Sequence, residues 1–553
     1  MIKIILFSLL GNKWKNESTL FNIVKSYMIL YMLILPGGKM IGQTFEWIKP
    51  FPLDYSYNYE MLDYGVSVDQ YGNPVWGGIF MFHEFYGINT YGDLNFVKMD
   101  QEGNTVSAFH CYGDGRIISL KHDNDNNLLA LIGVRSDLLL DSSDTLYLAG
   151  QYETYYLIKL SDDFDLLWSK QMAGGMDYNG AGCFQIDSNN TIYLGTDNFN
   201  NSELHIIDPD GNEIGQILQE NVNLISSIAI DNEGNIYTAG SCPQSGATYG
   251  GVVYEPPFIY NLYIAKYNNQ LQVQWVNYAE DITCTFPQVE ANDPDYVYFS
   301  GHLFDETHFG SITVNGPDWV YDFFVTRLNS QGEFVWAKEV PNMTTLSGDA
   351  SIGKFDYSAV DQEQNIYLTG FIRGDINWGN GINSMSTNIG PDVLLLKYNS
   401  DGELTIAKTG GGESYDKGIS MSLGNNGDVY MACIGFDDVQ FDSVSASLGG
   451  LSPYLVKLNN VEFTSVSGLI IKTSTLNIYP NPAADILNIS FNGSVTEIIQ
   501  IQIHDITGSL VRIMDVYANR HVQLNIANLK GGVYFLSTYE CGTLKANQKI
   551  IKL

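Results

Sequence analysis

A short pattern recurs along this chain: a turn rich in Asn, Asp and Gly, then an apolar strand with a central aromatic residue, then glycine. Its clearest copy is Asp231-Asn232-Glu233-Gly234-Asn235-Ile236-Tyr237-Thr238-Ala239-Gly240. Six further copies start at Gly72, Asp144, Asn190, Asp295, Gln364 and Gly427. Asn, Asp and Gly close turns because their side chains bond the local backbone or tolerate left-handed φ, whereas aromatic and β-branched residues suit a pleated strand. Seven copies of one turn-and-strand unit specify a stacked or radial repeat.

The rest of the unit follows from what lies between the copies. Strands of the form apolar-apolar-Lys, such as Tyr263-Ile264-Ala265-Lys266-Tyr267 and Leu394-Leu395-Leu396-Lys397-Tyr398, are each followed by an Asn- or Asp-led turn. After the turn comes a Trp-x-Lys strand, as in Leu166–Lys170 and Phe334–Lys338, with variants at Val273–Val276 and Leu404–Lys408. Four strands per repeat make one propeller blade. The last copy has Tyr454–Leu458 but nothing of the Trp-x-Lys kind after it, while Phe45-Glu46-Trp47-Ile48-Lys49 stands unpaired in front of the first copy. The economical closure places residues 45–49 in the last blade as its outer strand, which removes the exposed edge. The chain is therefore expected to be all-β: an about seven-bladed β-propeller over 43–465, a linker at 466–474, and a small C-terminal β-sandwich over 475–553. Asp114–Asp137 fits no element of the repeat, leaving room for an extra degenerate blade.

Spacings between successive blades are uneven, and the excess is assigned to connectors between the Tyr strand and the apolar-Lys strand, at 249–261, 304–321, 371–392 and 436–453. Surface loops at equivalent places on successive blades are the expected recognition surface. Trp319 and Trp378 fall in these connectors, outside the repeat positions, and are candidate ligand-binding residues that would stack on a sugar ring. Tyr193, Tyr237, Tyr298, Tyr367 and Tyr430 recur at one blade position and are expected to pack between blades.

Charge divides the chain. Residues 43–473 hold 17 Lys and Arg against 56 Asp and Glu, and residues 474–553 hold 6 against 5. Phosphate backbones are bound by clustered Lys and Arg, so nucleic acid is not an expected partner. No Gly-x-Ser-x-Gly, His-Glu-x-x-His or Walker pattern is present, and the eight histidines are dispersed, with His302 and His308 the one close pair in the propeller. No catalytic residue, metal site or cofactor is expected. The acidic runs at 123–125 and 208–213 read as hairpin turns and not as calcium loops. Six cysteines carry no metal spacing; Cys242 with Cys284 could bridge, although isolated buried thiols are the simpler reading.

Residues 1–42 hold five lysines, one acid and two apolar stretches, Ile2–Leu10 and Tyr27–Leu35. Both fall short of the ~20 residues that cross a bilayer, so no transmembrane span is expected. A basic lead, a short apolar core and small residues before Gln43 suit a secretory signal peptide.

Two family resemblances follow from particular residues. Ile366–Gly370, Phe309–Gly316, Asp322–Leu328 and Gly332–Lys338 resemble the bacterial β-propeller repeats called SBBP. At the C-terminus, Tyr479-Pro480-Asn481-Pro482, Asp505-Ile506-Thr507-Gly508, Gly532-Val533-Tyr534 and Lys549 follow the order of motifs in the type A sorting domain of the type IX (Por) secretion system of Bacteroidetes-type bacteria. That resemblance implies export through the periplasm to the outer-membrane surface or the extracellular space, with the secretion machinery as partner and cleavage in the linker 466–474. It leaves open release against anchoring on lipopolysaccharide. Function is then expected to be that of a secreted or cell-surface binding or scaffold module with a glycan or protein ligand; the alternative is an extracellular glycan-active hydrolase or lyase acting in the propeller funnel.

Overall fold

In the computed structural model the chain is described from residue 44 to 553, except at 52–62, 80–82, 86–87, 91–93, 141–143, 175–179, 199, 245, 281–285, 304–305, 316–320, 342–347, 388–389, 460–475, 492–497, 506–509, 518–520 and 541–542. The leader 1–42, Trp319, Cys284, Gly508 and the linker 466–474 lie outside the described residues. The described residues are all-β. Chain contacts separate residues 42–462 from a unit holding 463–553.

Residues 42–462 form a β-propeller. Seven sheets of four or more strands are present among its described residues, and their inner strands touch in a closed ring. Blade 4 shows the unit: Leu224–Ile230, Ile236–Pro243, Tyr260–Tyr267 and Val273–Glu280, each antiparallel to the next. The chain closes the ring with its own start. Thr44–Pro50 pairs with Val444–Asn459 as the outer strand of blade 7, with Trp47 opposite Lys457.

In blade 4 the repeat residues tie the blade to itself. Tyr237 donates its hydroxyl to Asp231 Oδ2 at 2.8 Å, and Lys266 Nζ stands 5.3 Å over the Tyr237 ring. Tyr298, Tyr367 and Tyr430 are buried in the same way. Tyr430 reaches across to the next blade and donates to Gly72 O at 2.8 Å, and Tyr298 donates to Gln364 O, so these two link blades as expected, whereas Tyr193 and Tyr237 bond to Asp187 and Asp231 within their own blades.

A second device joins neighbouring blades. The indole N–H of each outer-strand Trp donates to a carbonyl in the hairpin turn of the following blade: Trp47 to Gln101, Trp168 to Pro209, Trp275 to Ser330 and Trp336 to Ser400, at 3.0–3.1 Å. Each of those turns contains a glycine with positive φ (Gly103, Gly211, Gly332, Gly402), and the Trp ring occupies the space where its Cβ would project. Blade 3 has Gly215 at the Trp register, and there the next blade's turn carries Leu271, whose side chain lies 3.6 Å from the Cβ that Gly215 lacks. Blade 1 has Ser107 at that register, and Phe164 of the next turn packs against Phe109. Close packing demands that the volume be supplied from one side or the other.

One repeat is displaced relative to the sequence reading. Asp144–Leu146 is not a blade strand; it is the outer edge of a hairpin with Leu138–Leu140 that extends blade 1 beyond Thr105–Tyr112. Leu138, Leu140 and Leu146 are buried, which gives the segment its repeat-like apolar pattern, but Tyr147 is 64% exposed where Tyr237, Tyr298, Tyr367 and Tyr430 are buried. The inner strands of blade 2 are Gly115–His122 and Leu128–Val134, inside the stretch that seemed to fit no repeat, with Leu129 opposite Lys159 where blades 4, 6 and 7 place Tyr. No extra blade is needed to place it.

The connectors between second and third strands also form hairpins. Ala247–Tyr249 and Val252–Tyr254 extend the sheet of blade 3, and Ile382–Met385 folds back on the long strand Ile366–Gly379. The C-terminal unit packs a three-stranded sheet (Leu476–Tyr479, Ile486–Phe491, His521–Asn525) and a four-stranded sheet (Leu510–Tyr517, Ile498–Asp505, Gly532–Glu540, Thr543–Lys552) around Leu487, Ile489, Ile501, Leu524, Leu536 and Ile550. Alternation of apolar and polar residues along these strands makes a sandwich.

Candidate functional site

The inner strands line a central channel. At the end of the ring where second strands finish and third strands begin, the channel widens into a hollow of about 600 Å³. Blades 2, 3 and 4 supply Arg116, Tyr155, Asp197 and Tyr260 to its wall, and Phe286, Lys354 and Phe355 face them.

Lys354 and Phe355 are there because the inner strand of blade 6 is broken. Gly348–Ile352 and Ser358–Val360 are separated by a five-residue excursion. Gly353 has no room for a side chain, since a Cβ would lie 2.4 Å from Ile419 O. Asp356 takes a left-handed φ of 43°, a conformation that costs about 1–3 kcal/mol for a residue other than glycine and persists where its surroundings hold it. Tyr357 is the anchor: it is fully buried, its amide donates to Gln288 Oε1 at 3.2 Å and its hydroxyl to Ser300 O at 3.0 Å.

Held this way, Asp356 crosses the channel to blade 2. Ser119 Oγ donates to Asp356 Oδ2 at 2.7 Å, and Lys121 Nζ lies 3.4 Å from Asp356 Oδ1. Glu290 joins from blade 5, accepting from Ser358 Oγ at 3.0 Å. Burial pushes the Glu290 carboxyl up to about 7, with Lys121 opposing. The space among these groups is only about 20 Å³, room for about one water. The hollow above it is thus blind.

Two further carboxylates sit at the mouth with opposite tuning. Asp197, which has no hydrogen-bond or ion-pair partner among the described residues, is raised by burial to about 6. Burial also acts to raise Glu153, but the Arg116 guanidinium overcomes it with paired bonds of 2.7 and 2.8 Å and holds that carboxyl below its usual range. A larger hollow of about 820 Å³ lies between the rims of blades 6 and 7, but Asp392 in its lining is already bonded by Thr387, and Asp416 nearby by the Gly412 amide and Tyr454.

The expected outer-surface residue Trp378 lies on the blade 6 hairpin. Its ring is half-buried near Phe323, and its indole N–H donates to Ser384 Oγ at 3.0 Å. His302 is bonded to Ser351 Oγ, and His308 stands exposed beside Glu306. Cys111, Cys183, Cys242 and Cys433 are buried thiols. The mouth residues went unnoticed in the sequence because they belong to no motif. The available signal was Gly353–Tyr357 itself, which lengthens blade 6 in its inner strand and not only in its connector.

In the C-terminal unit the motif residues form a lock on the last strand. Asn481, between two cis prolyl bonds, accepts the Ile551 amide at 2.8 Å through Oδ1 and donates through Nδ2 to Lys549 O at 2.8 Å. Ala483 continues it by bonding Ile551 O and accepting from the Leu553 amide. Asp505 pairs with Tyr534 across the sheet, the Tyr534 hydroxyl donates to Lys530 O, and Gly532 stands opposite Lys552.

Residues 477–553 match the secretion system C-terminal sorting domain. This type IX sorting domain marks the chain for export to the cell surface or extracellular space, with the secretion machinery as its partner. None of the described helices, of which there are none, provides a membrane span long and apolar enough to cross a bilayer. No curated protein matches the sequence. Among solved structures, a streptogramin B lyase is similar at 11% identity and a TM-score of 0.36, covering 75% of this chain and 98% of that one. The WD40 domain of coronin from Toxoplasma gondii gives 8% and 0.33, covering 75% and 85%. An α-L-arabinofuranosidase from Fusarium graminearum, bound to an iminosugar inhibitor, gives 10% and 0.33, covering 75% and 98%. Likenesses this distant carry no functional argument.

Proposed function

We propose that this chain is an exported β-propeller that captures a ligand in the blind mouth of its central funnel. The observation that carries the reading is the floor: an excursion from blade 6 bridges the channel to blade 2 through Asp356, Ser119 and Lys121, so a wide opening ends in a sealed waist. Concave sites with an apolar wall and a few converging polar groups are the usual form of a small-ligand site. The SBBP-like character of the repeats fits this scaffold, in which ties between blades are spent on rigidity and the irregular excursion is free to specialise. Trp378, with Trp319, is an outer contact for a longer ligand.

The test is binding of an oligosaccharide and peptide panel to the exported chain, with Phe355→Ala and Asp197→Asn as mouth variants and Trp378→Ala as the outer one. Mouth variants that lose binding at unchanged melting temperature support the reading, and a panel that binds equally well to both mouth variants defeats it. A second reading, glycan hydrolysis or elimination, draws on Asp197 and Glu290, two carboxylates raised by burial in one funnel. Turnover of a polysaccharide that vanishes in both Asp197→Asn and Glu290→Gln would establish it.

A further inference from the structure

We infer that the ligand of the funnel mouth is an anionic sugar chain, bearing uronate or sulfate groups, which are met by Lys354, Arg373 and Lys417 while aromatic rings beside them take the sugar faces. This rests on the reading of the mouth as the ligand site and adds the chemistry of what enters.

The propeller is poor in basic residues, and most of them are engaged in structural ties. Lys159 meets Asp123, Lys397 meets Asp361, and Lys457 meets Glu46 and Asp428. Lys354, Arg373 and Lys417, like Lys266, Arg327 and Lys338, have no carboxylate within ion-pair distance among the described residues, and the first three lie at the mouth end of the ring. Lys354 lines the hollow, while Arg373, where the second strand of blade 6 leaves its inner strand, and Lys417, at the start of the inner strand of blade 7, lie at the same end. Lys417 stands 4.2 Å over the Phe371 ring and 4.9 Å over Tyr415, and Arg373 lies 5.7 Å over the same Phe371 and 4.8 Å over Tyr321. Lys354 lies over Phe355 at 4.6 Å and Phe286 at 5.2 Å. Gly353, its neighbour, is pressed against Ile419, two residues along the strand from Lys417.

Arg373 and Lys417, both over Phe371, repel one another, and cation–π contacts offset that only in part. Asp349 is the acid that faces Arg373 and Lys417; burial raises its carboxyl, against the charge of Arg373. His302, lowered by burial and then by Lys417, adds no positive charge near neutral pH. Arg373 and Lys417 thus share the one carboxylate of Asp349 between them, in a chain whose formal charge is −34. Such a patch attracts an anion, while the acidic surface around it disfavours long polyanions such as nucleic acid. The rings decide between anions. Tyr321 and Tyr415 are 47% and 39% exposed, and flat aromatic surface beside a cation suits a sugar ring with an acidic substituent better than an acidic peptide.

The experiment titrates the exported chain with oligogalacturonate and a sulfated oligosaccharide, with neutral cello-oligosaccharide and poly-glutamate as comparisons, at two salt concentrations. The expected result is binding of the anionic sugars at least about tenfold tighter than the neutral one, weakened by salt. Arg373→Gln with Lys417→Gln should lose about tenfold for anionic sugars only, and Tyr415→Ala should weaken them too. If the double variant melts early, exposed Lys354→Gln supplies the same readout. Neutral sugars bound as tightly, with the charge variants silent and Phe355→Ala impaired, would overturn the inference and leave the mouth as a binding site. Preference for poly-glutamate would also overturn it. Binding that ignores every mouth variant would defeat both readings.

Discussion

Glu290 sets a pH dependence that a single substitution can isolate. Its carboxyl lies in the channel beside Ser358 and within reach of the charges on Lys121 and Asp356, and burial lifts it to about 7. In the unfolded chain a glutamate titrates near ~4.3. The folded protein therefore holds this proton more tightly, and the stability linked to it is complete below about pH 4 and is lost as pH rises through about 7. Glu290→Gln keeps the size and an acceptor for Ser358 but has no proton to lose. Relative to the native chain the variant should gain stability between pH 5 and pH 8, with a ceiling of about 3 kcal/mol that the lost attraction to Lys121 reduces. Urea unfolding of both proteins across this range measures the difference, and a difference independent of pH would contradict the assignment. Asp197 follows the same sign with a smaller lift.

Between blades, volume is exchanged and not merely filled. Gly332 turns under the Trp275 ring, while Leu271 turns over Gly215, so the same contact is built from opposite sides in adjacent interfaces. Gly332→Leu alone would place a side chain where Trp275 atoms lie 2.7 Å from the Cβ position, and Trp275→Gly alone would empty the slot. Combined, the two changes reproduce the arrangement at Gly215. The double variant should be more stable than the sum of the single losses by about 1–3 kcal/mol, read from denaturant midpoints; additivity within about 0.5 kcal/mol would mean the sites are independent. These partners explain what the sequence disclosed and what it withheld. Turn, Tyr strand, Lys strand and Trp strand were each legible, because every one is a local pattern with period two and a glycine stop. That Trp275 faces Gly332 was not, since the residues belong to different blades and nothing local connects them. Asp144–Gly150 imitated the repeat because buried leucines give the same alternation, and only exposure of Tyr147 betrays it. Lys354, Arg373 and Lys417 were hidden for the first of these reasons: they lie on different segments of blades 6 and 7, and nothing local connects them.

Closure concerns the whole ring, and it rests on seven residues. Thr44–Pro50 completes blade 7, where Phe45 packs edge-on to Phe441 at 4.8 Å and Glu46 holds Lys457 Nζ at 2.8 Å. From the same strand Trp47 bonds Gln101 O at 3.1 Å in blade 1, and Lys457 donates to that carbonyl as well. The strand thus joins the last blade to the first through both its backbone and its Trp. Without it, the Leu455–Leu458 edge would expose unpaired backbone groups, and Gly103 would face an empty slot. An open edge of that kind invites pairing with another chain. Trp47→Ala in the complete chain should cost about 3–5 kcal/mol, the usual loss for a large buried aromatic. Deleting residues 43–50 should go further, replacing one cooperative melting transition by a broad one and raising aggregation. Hydrogen exchange would then show protection lost first in blades 7 and 1, at the seam, with blades 3 to 5 retained longest. A truncated chain that melts in one transition at the native temperature would show that contacts between inner strands hold the ring without its closing strand.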